Sequence, residues 1–213
     1  MIFEDEFAEI GFDGILAVSA SDISDEMIER CFEIDRKFYK EEYSWEDSEI
    51  KQIIKKFGHF CFVFLDKEEK SVMGYSFWIP VKTEVLNEFI KTKQMLILLK
   101  EEYCEEFKEN CNINLFCGGE AFVPGYDLKN LHKAIENLFQ RKVLELANIG
   151  SRVEYITIEA CCKYDEEYLI PLLGLEKSIQ KDKSLFYYGK YLPTKIYPDS
   201  KYVHEISKFY NER

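Results

Sequence analysis

The fold of this chain is indicated most clearly by residues 115–145, LFCGGEAFVPGYDLKNLHKAIENLFQRKVLE. An apolar strand enters a turn at Pro124 and Gly125, and a helix begins directly behind it. The first N–H groups of a helix have no partners within the helix, and the helix dipole favours negative charge at that end. The sequence therefore predicts an anion-binding site at the start of this helix, with the chemistry of the protein close to it.

Length and composition predict a single folded domain. The chain has 213 residues, of which 46% are hydrophobic and 15% aromatic, enough to build a sizeable core. No linker rich in Pro, Ser or Gly, no low-complexity run and no internal repeat divides it. We therefore expect one domain over residues 1–213.

The net charge of −12 limits the partners of this chain. A chain this acidic repels a phosphate backbone, and no basic stripe interleaved with aromatic residues offsets the repulsion. Nucleic acid is therefore not an expected partner. A cationic small molecule or peptide acceptor suits the electrostatic field better.

The seven cysteines predict a reducing compartment. The spacing of Cys104, Cys111 and Cys117 matches no zinc pattern, and Cys161 and Cys162 are adjacent. We expect buried small hydrophobic side chains and no metal. The sequence shows no signal-peptide pattern, and its apolar runs are shorter than a membrane span, so the prediction is a cytoplasmic protein without a membrane partner.

Apolar patterning predicts the order of strands and helices. Strands are expected at Ile15–Ser19, 60–65, Val72–Val81, 113–123, 153–160 and 184–192. Helices are expected at 27–34, 45–57, 82–110 as one or two segments, 128–149, 166–173 and, in a C-terminal tail at 201–213, 203–210. A hairpin followed by a β-α-β unit predicts an α/β (α+β) fold, with a mixed, mostly antiparallel central sheet of six to seven strands and helices on both faces. Gly74, inside a hairpin strand, predicts a bulge or the close approach of another backbone.

From residue 15 to residue 192 the chain resembles the GCN5-related N-acetyltransferase (GNAT) family. The matching features are an N-terminal strand with two helices, a hairpin strand carrying Gly74-Tyr75, the strand, turn and helix around VPGYDLKNLHKAI, and the short helix ending LIPLLGLEK at 169–177. The last is similar to the leucine-Gly-Phe element that precedes the final hairpin in the family. The resemblance implies that an acyl group, in particular acetyl, moves from coenzyme A to a small-molecule or peptide amine by direct attack in a ternary complex, without a metal.

The resemblance also implies where acetyl-coenzyme A binds. The family places pantetheine beside its fourth strand and the pyrophosphate at the next helix, in a motif of Gln or Arg, two residues, Gly, one residue, then Gly or Ala. Here that motif falls on 127–132, where Asp127, Asn130 and His132 replace the usual residues, while Lys129 and Lys133 can supply positive charge. The implied cofactor-binding residues are Phe122, Val123, Asp127, Leu128, Lys129, Asn130, Leu131, His132 and Lys133.

Glu120 is the predicted general base, because it is a lone carboxylate in an apolar strand, where desolvation raises the pKa of a carboxyl group. In the family, a Glu on this strand activates the amine, and backbone N–H groups of the same strand, here 119–123, polarise the thioester carbonyl. An edge-facing or salt-bridged Glu120 is the structural alternative.

The family's general acid is a Tyr four residues before the Gly of the leucine-Gly-Phe element. Ile170 stands there, so Tyr168 and Tyr164 are the candidates, with packing as their alternative role.

Other interpretations remain open at the sequence level. The substitutions at Asp127, Asn130, His132 and Ile170 suit a GNAT-fold binding or regulatory module that has lost acyl transfer. An acyl carrier protein as donor conflicts with the charge of −12 unless Lys129, Lys133 and Arg141 form a basic patch. The helical stretch 82–110 is either a lid or wall over the acceptor site or a packing insertion. The final strand, SLFYYGKYL, offers an edge for pairing with a second subunit in a homodimer.

Overall fold

The computed structural model describes residues 2–3, 14–19, 22–38, 47–92, 99–125, 128–160, 167, 170–173, 175–181, 184–195 and 199–211. Cys161, Cys162, Asp127, Tyr164 and Tyr168 lie outside these residues, and so do the side chains of Leu128, Lys129 and Asn130.

The central sheet is mixed and mostly antiparallel, as predicted. Its strands are β1 (Ile2–Phe3), β2 (Ile15–Ser19), β3 (Phe60–Asp66), β4 (Val72–Val81), β5 (Asn112–Phe122), β6 (Arg152–Ala160), β7 (Glu176–Lys181) and β8 (Ser184–Lys190). They are ordered β1-β2-β3-β4-β5-β6-β8-β7, and the β5–β6 pair is parallel while the other neighbouring pairs are antiparallel. The described strands number eight rather than six or seven, because the apolar pattern does not predict β1 and β7.

The position of β7 corrects one sequence interpretation. β8, the tyrosine-rich strand, pairs with β6 on one side and with β7 on the other. It is therefore an interior strand and offers no edge to a second subunit. The edge at this end of the sheet is β7, whose sequence EKSIQK lacks the apolar pattern that would have predicted it.

The helices are α1 (Asp25–Phe38), α2 (Asp47–Phe57), α3 (Thr83–Thr92), α4 (Leu128–Asn148), α5 (Ile170–Leu173) and α6 (Val203–Asn211). The first begins at a side-chain cap, since Oγ of Ser24 accepts the N–H of Met27 at 3.2 Å. The tail helix is confirmed. None of the helices in the described ranges is long and apolar enough to cross a membrane.

The helical prediction for 82–110 holds for α3 and is wrong for 101–110. Residues Glu101–Tyr103 form one turn of 3-10 helix, and residues 93–98 lie outside the description. After that turn the backbone forms hydrogen bonds with β4 instead of the hydrogen bonds of a helix. Cys104 forms a bridge with Val81, and the N–H of Glu105 donates to O of Pro80 at 3.1 Å. Pairing with the sheet therefore overrides the local helical pattern.

Helices cover both faces of the sheet, as the two-sided apolar strands predicted. On one face, Val63, Phe77 and their neighbours pack against α1 and α2. On the other, Phe64 and Met73 pack against Leu131 of α4. Four of the five described cysteines are buried, as expected for small apolar side chains, and Cys111 is half-buried.

Gly74 allows two strands to approach closely, and both sequence interpretations of it are confirmed. A Cβ at Gly74 would lie 2.2 Å from Cδ1 of Phe122 and 2.6 Å from O of Ala121. The register between β3 and β4 also shifts at Phe64 and Leu65, opposite this glycine. The glycine therefore fixes how the end of β5, which carries the candidate site, lies against β4.

Candidate functional site

A Gly-Gly bulge in β5 marks the point where β5 and β6 stop pairing. The register with β4 shifts so that Gly118 has no directly opposite residue, and Gly119 has a φ of +153°, which favours glycine. The parallel register with β6 ends at Cys117 and Ile158, and the described parts of the two strands show no pair beyond it. Because a bulge bends its strand, the ends of β5 and β6 leave a gap between them.

The chain turns at the open end of this gap and enters α4. The N–H of Val123 donates to O of Met73 at 2.8 Å, which holds the end of β5 on β4. Pro124 and Gly125 are exposed, and Gly125 has a φ of +114°, so glycine is favoured in the turn. The 21-residue α4 begins three residues later, which brings its N-terminus to the same end of the sheet as the gap.

Glu120 faces α4 and is fully buried. Its side chain is 0% exposed, and its Oε1 lies 3.4 Å from Nδ1 of His132. Burial lowers the pKa of His132 to about 4, so the imidazole is neutral at pH 7. A neutral imidazole can carry its hydrogen on Nδ1 and donate it to the carboxylate. Among the alternatives for Glu120, the structure therefore favours an internal pair over an edge-facing side chain.

The other predicted site residues divide between core and surface. Phe122 packs against Phe64, with ring centroids 5.2 Å apart, and Leu131 is 1% exposed. Val123 is half-buried and Lys133 is exposed. Ile170 is buried.

A second polar pair lies on the opposite face of β5 and was missed from the sequence. The hydroxyl of Tyr75, on β4, donates to Oδ1 of Asp35 on α1. Burial, together with the nearby Asp35 carboxylate, raises the pKa of Tyr75 well above its usual value. A Cβ at Gly119 would lie 3.0 Å from Oη of Tyr75, so this hydroxyl lies directly against the bulge. The site thus has one carboxylate on each face of β5.

A sequence signal for this pair does exist. Asp35 follows Ile28 by seven residues and Cys31 by four, which are spacings that place all three on one face of a helix. Ile28 and Cys31 are buried in the core between α1 and the sheet. An acid on the apolar face of an amphipathic helix requires a polar partner, and Tyr75 provides it.

No protein-family model matches the sequence, and no curated protein matches it. Two of the solved structures to which the chain is similar have TM-scores above 0.5. One is FeeM, an N-acyl amino acid synthase from uncultured soil microbes, with a TM-score of 0.54 at 11% identity over 85% of this chain and 94% of that one. The other is Arabidopsis thaliana Naa50 in complex with the bisubstrate analogue CoA-Ac-MVNAL, with a TM-score of 0.53 at 8% identity over 84% of this chain and 99% of that one. At such identities the likeness shows a shared fold.

Proposed function

We propose that this chain, whose fold is that of the GCN5-related N-acetyltransferases, transfers an acyl group from coenzyme A to an amine. The observation that carries the proposal is the gap between β5 and β6 beside the N-terminus of α4. A gap between two parallel strands leaves backbone groups available to an extended ligand arm. A helix N-terminus at its open end suits a pyrophosphate. Acetyl-coenzyme A carries both parts.

Backbone groups of β5 can provide the contacts that the donor requires. The N–H of Val123 points to β4, and successive residues of a strand direct their N–H groups to opposite sides. The N–H groups of Phe122 and Glu120 therefore point toward the gap. A thioester bound there would present its carbonyl oxygen to these donors, which favour the negative charge that develops on it during transfer.

The altered pyrophosphate motif remains compatible with phosphate binding. Backbone N–H groups at the start of α4 do not depend on side-chain identity. The ring of His132 is turned inward to Glu120, so its bulk does not lie over the helix N-terminus. Lys133 is exposed on the first turns of α4 and adds positive charge there.

We assign different roles to the two carboxylates beside the bulge. Glu120 is kept as the predicted base that removes the proton of the attacking amine. Asp35 is the better candidate to bind the acceptor as an ammonium ion, since it is only half-buried and the hydroxyl of Tyr75 holds one of its oxygens. Tyr164 and Tyr168 remain the predicted donors of a proton to the departing thiolate.

The overall charge and Asp35 support the proposed class of acceptor. A net charge of −12 and a carboxylate beside the bulge both favour a cationic amine, either a small molecule or a peptide N-terminus. The two similar structures support both kinds, because one is an N-acyl amino acid synthase and the other holds a peptide-containing bisubstrate analogue.

A GNAT-fold module without acyl transfer is the second candidate. It is favoured by the complete burial of Glu120, whose side chain is 0% exposed. Such a module would bind coenzyme A or another ligand but would not turn over acetyl-coenzyme A with any amine. Binding and turnover must therefore be measured separately.

Calorimetry with acetyl-coenzyme A and coenzyme A tests the proposed donor site. The variant Asn130→Asp adds a negative charge in the first turn of α4, and Asn148→Asp adds the same charge at the other end of the same helix. We expect Asn130→Asp to weaken binding at least about tenfold, or about 1.4 kcal/mol, and Asn148→Asp to leave it unchanged. Absence of binding at millimolar ligand, or equal effects of both variants, would contradict the donor site.

A further inference from the structure

The gap between β5 and β6 has a closed end at the bulge. It opens beside the N-terminus of α4, and it closes where Cys117 pairs with Ile158. A pantetheine arm that enters from α4 therefore carries its acyl group to the closed end, because the acyl group is at the tip of the arm. There the paired strands stop a long acyl chain from continuing straight on. Such a chain has to turn to one face of the sheet or the other.

The face toward α4 is filled at the closed end. Cys117 and Ile158 are buried in one core cluster with Phe139 of α4. The side chain of Glu120 is 0% exposed and lies beside His132 of α4. A close-packed interior of this kind does not accept further methylene groups without strain. An acyl chain therefore finds no space on this face.

The face toward α1 carries no side chain of β5 at the closed end. Cys117 and Glu120 both face α4, and the two residues between them are Gly118 and Gly119. The side chain of Tyr75 lies over this glycine pair instead. A Cβ at Gly119 would be 3.0 Å from Oη and 3.2 Å from Cε2 of Tyr75. One carbon atom at that position is already in close contact, so a chain of several carbons does not fit while the ring stays in place.

Two contacts hold the ring of Tyr75 over the bulge. Its hydroxyl donates to Oδ1 of Asp35 on α1. Its ring packs on that of Phe77, with the centroids 4.6 Å apart, and the residue is buried in the core. Rotation of the ring away from the bulge would break the hydrogen bond to Asp35 and leave a buried hydroxyl without that partner, which costs free energy. The ring therefore forms a fixed wall.

On the basis of the proposed function, we propose that Tyr75 restricts the donor to coenzyme A thioesters with a short acyl chain, in particular acetyl. The acyl group turns toward Gly118 and Gly119 and ends against the hydroxyl of Tyr75. The volume of the ring sets the length of chain that fits, and Asp35 keeps the ring in position. Tyr75 thus determines specificity by filling space, and it takes no part in the transfer of the acyl group.

Calorimetry of the full chain with acetyl-, propionyl- and hexanoyl-coenzyme A tests this proposal. We expect the wild type to bind hexanoyl-coenzyme A at least about tenfold more weakly than acetyl-coenzyme A. Tyr75→Phe removes one heavy atom from the wall, so propionyl-coenzyme A should come within about twofold of acetyl-coenzyme A while hexanoyl-coenzyme A stays weak. Tyr75→Leu removes the outer part of the ring and keeps an apolar side chain in the core. It should bring hexanoyl-coenzyme A within about twofold of acetyl-coenzyme A.

Tyr103→Leu is the matched control. Tyr103 lies beyond the far end of β4, where its carbonyl oxygen accepts the N–H of Lys82 at 3.0 Å. This variant should therefore keep the wild-type ratio of the affinities for the hexanoyl and acetyl thioesters. Melting temperatures show which variants fold, and Tyr75→Phe, which keeps the ring, tests the proposal with propionyl-coenzyme A if Tyr75→Leu does not fold.

Two kinds of result would overturn the proposal, and they differ in what they leave standing. Equal binding of hexanoyl- and acetyl-coenzyme A by the wild type, or an unchanged ratio of affinities in a folded Tyr75→Leu, would remove Tyr75 as the wall and leave the donor site in place. Absence of binding of all three thioesters at millimolar concentration would contradict the donor site itself and the short-chain proposal that rests on it.

Discussion

Oε1 of Glu120 and Nδ1 of His132 lie 3.4 Å apart in the core between β5 and α4. The pair connects the bulged strand to the helix whose N-terminus comes after it. His132 stands where the family motif has a small residue, and its inward orientation shows how a larger side chain is accommodated there. Burial of the imidazole also makes the stability of this part of the fold depend on pH.

Stability should fall as the pH is lowered from about 6.5 to about 4. Burial lowers the pKa of His132 from 6.5 to about 4, and burial is also the main cause of a similar lowering for His59. In this range the unfolded chain therefore binds protons that the folded chain does not. The free energy of unfolding falls as a result, by at most roughly 3 kcal/mol for each histidine. The measurement is chemical denaturation at pH 4.5 and pH 7.

Substitutions separate the contribution of the two histidines to this pH dependence from that of other titrating groups. His132→Gln keeps a donor for Glu120 but does not titrate, so the difference in unfolding free energy between the two pH values should shrink. His59→Gln should act in the same direction. His204→Gln, at an exposed histidine, is the control and should change nothing. An unchanged pH dependence in His132→Gln would contradict a neutral, buried imidazole.

Gly74→Ala should destabilise the fold strongly, since the added Cβ would lie 2.2 Å from the Phe122 ring and 2.6 Å from O of Ala121. Overpacking of this kind costs about 2 kcal/mol. Gly14→Ala is the matched control, because a Cβ at Gly14 meets nothing within 4 Å. It should change the free energy of unfolding by less than about 1 kcal/mol. Equal effects of the two variants would show that β4 and β5 are not closely packed at Gly74.

Much of the fold could be predicted from periodicity alone. The continuous apolar runs of β3 and β4 and the strand, turn and helix from β5 to α4 are local patterns that packing on both faces reinforces. β7 was missed because its residues, EKSIQK, form a strand by pairing with β8 rather than by an apolar pattern of their own. Residues 101–110 have helical composition, but Cys104 and Glu105 bond to the end of β4, a long-range contact that no local window contains.

The candidate site was predictable only in part for the same reason. Glu120 was identified because a carboxylate is unusual in an apolar strand. Its contact with His132 depends on the angle at which α4 packs across the sheet. The spacing of residues along the sequence does not determine that angle. Asp35 and Tyr75 are 40 residues apart, and only the packing of α1 on β4 brings them together.

Glu136→Gln should stabilise the protein above pH 7. Burial, assisted by the charge of Asp199 and opposed by that of Lys133, raises the pKa of Glu136 from 4.5 to about 7. The stabilisation associated with the protonated form is complete below pH 4.5 and is lost as the pH rises through about 7, at a cost of at most roughly 3 kcal/mol. Melting temperatures at pH 4.5 and pH 8 should show a gain for the variant at the higher pH only. The exposed Glu84→Gln should show no such gain.

Steady-state kinetics with an amine acceptor should separate the two carboxylates beside the bulge. Asp35→Asn removes the charge proposed to bind the ammonium ion, so KM for the amine should rise about tenfold with a smaller change in kcat. Tyr75→Phe should raise KM by less, because it loosens Asp35 without removing the carboxylate. Asp25→Asn, at an exposed position on the same helix, should change neither constant.

Glu120→Gln, by contrast, should lower kcat about 100-fold and leave KM nearly unchanged, because a general base acts on the proton lost in the transition state. The variant should also lose the acidic limb of the pH–rate profile if Glu120 takes that proton. A loss of kcat and of this limb in Asp35→Asn, with Glu120→Gln fully active, would transfer the role of base to Asp35. It would leave Glu120 with a structural role beside His132, 3.4 Å away in the core.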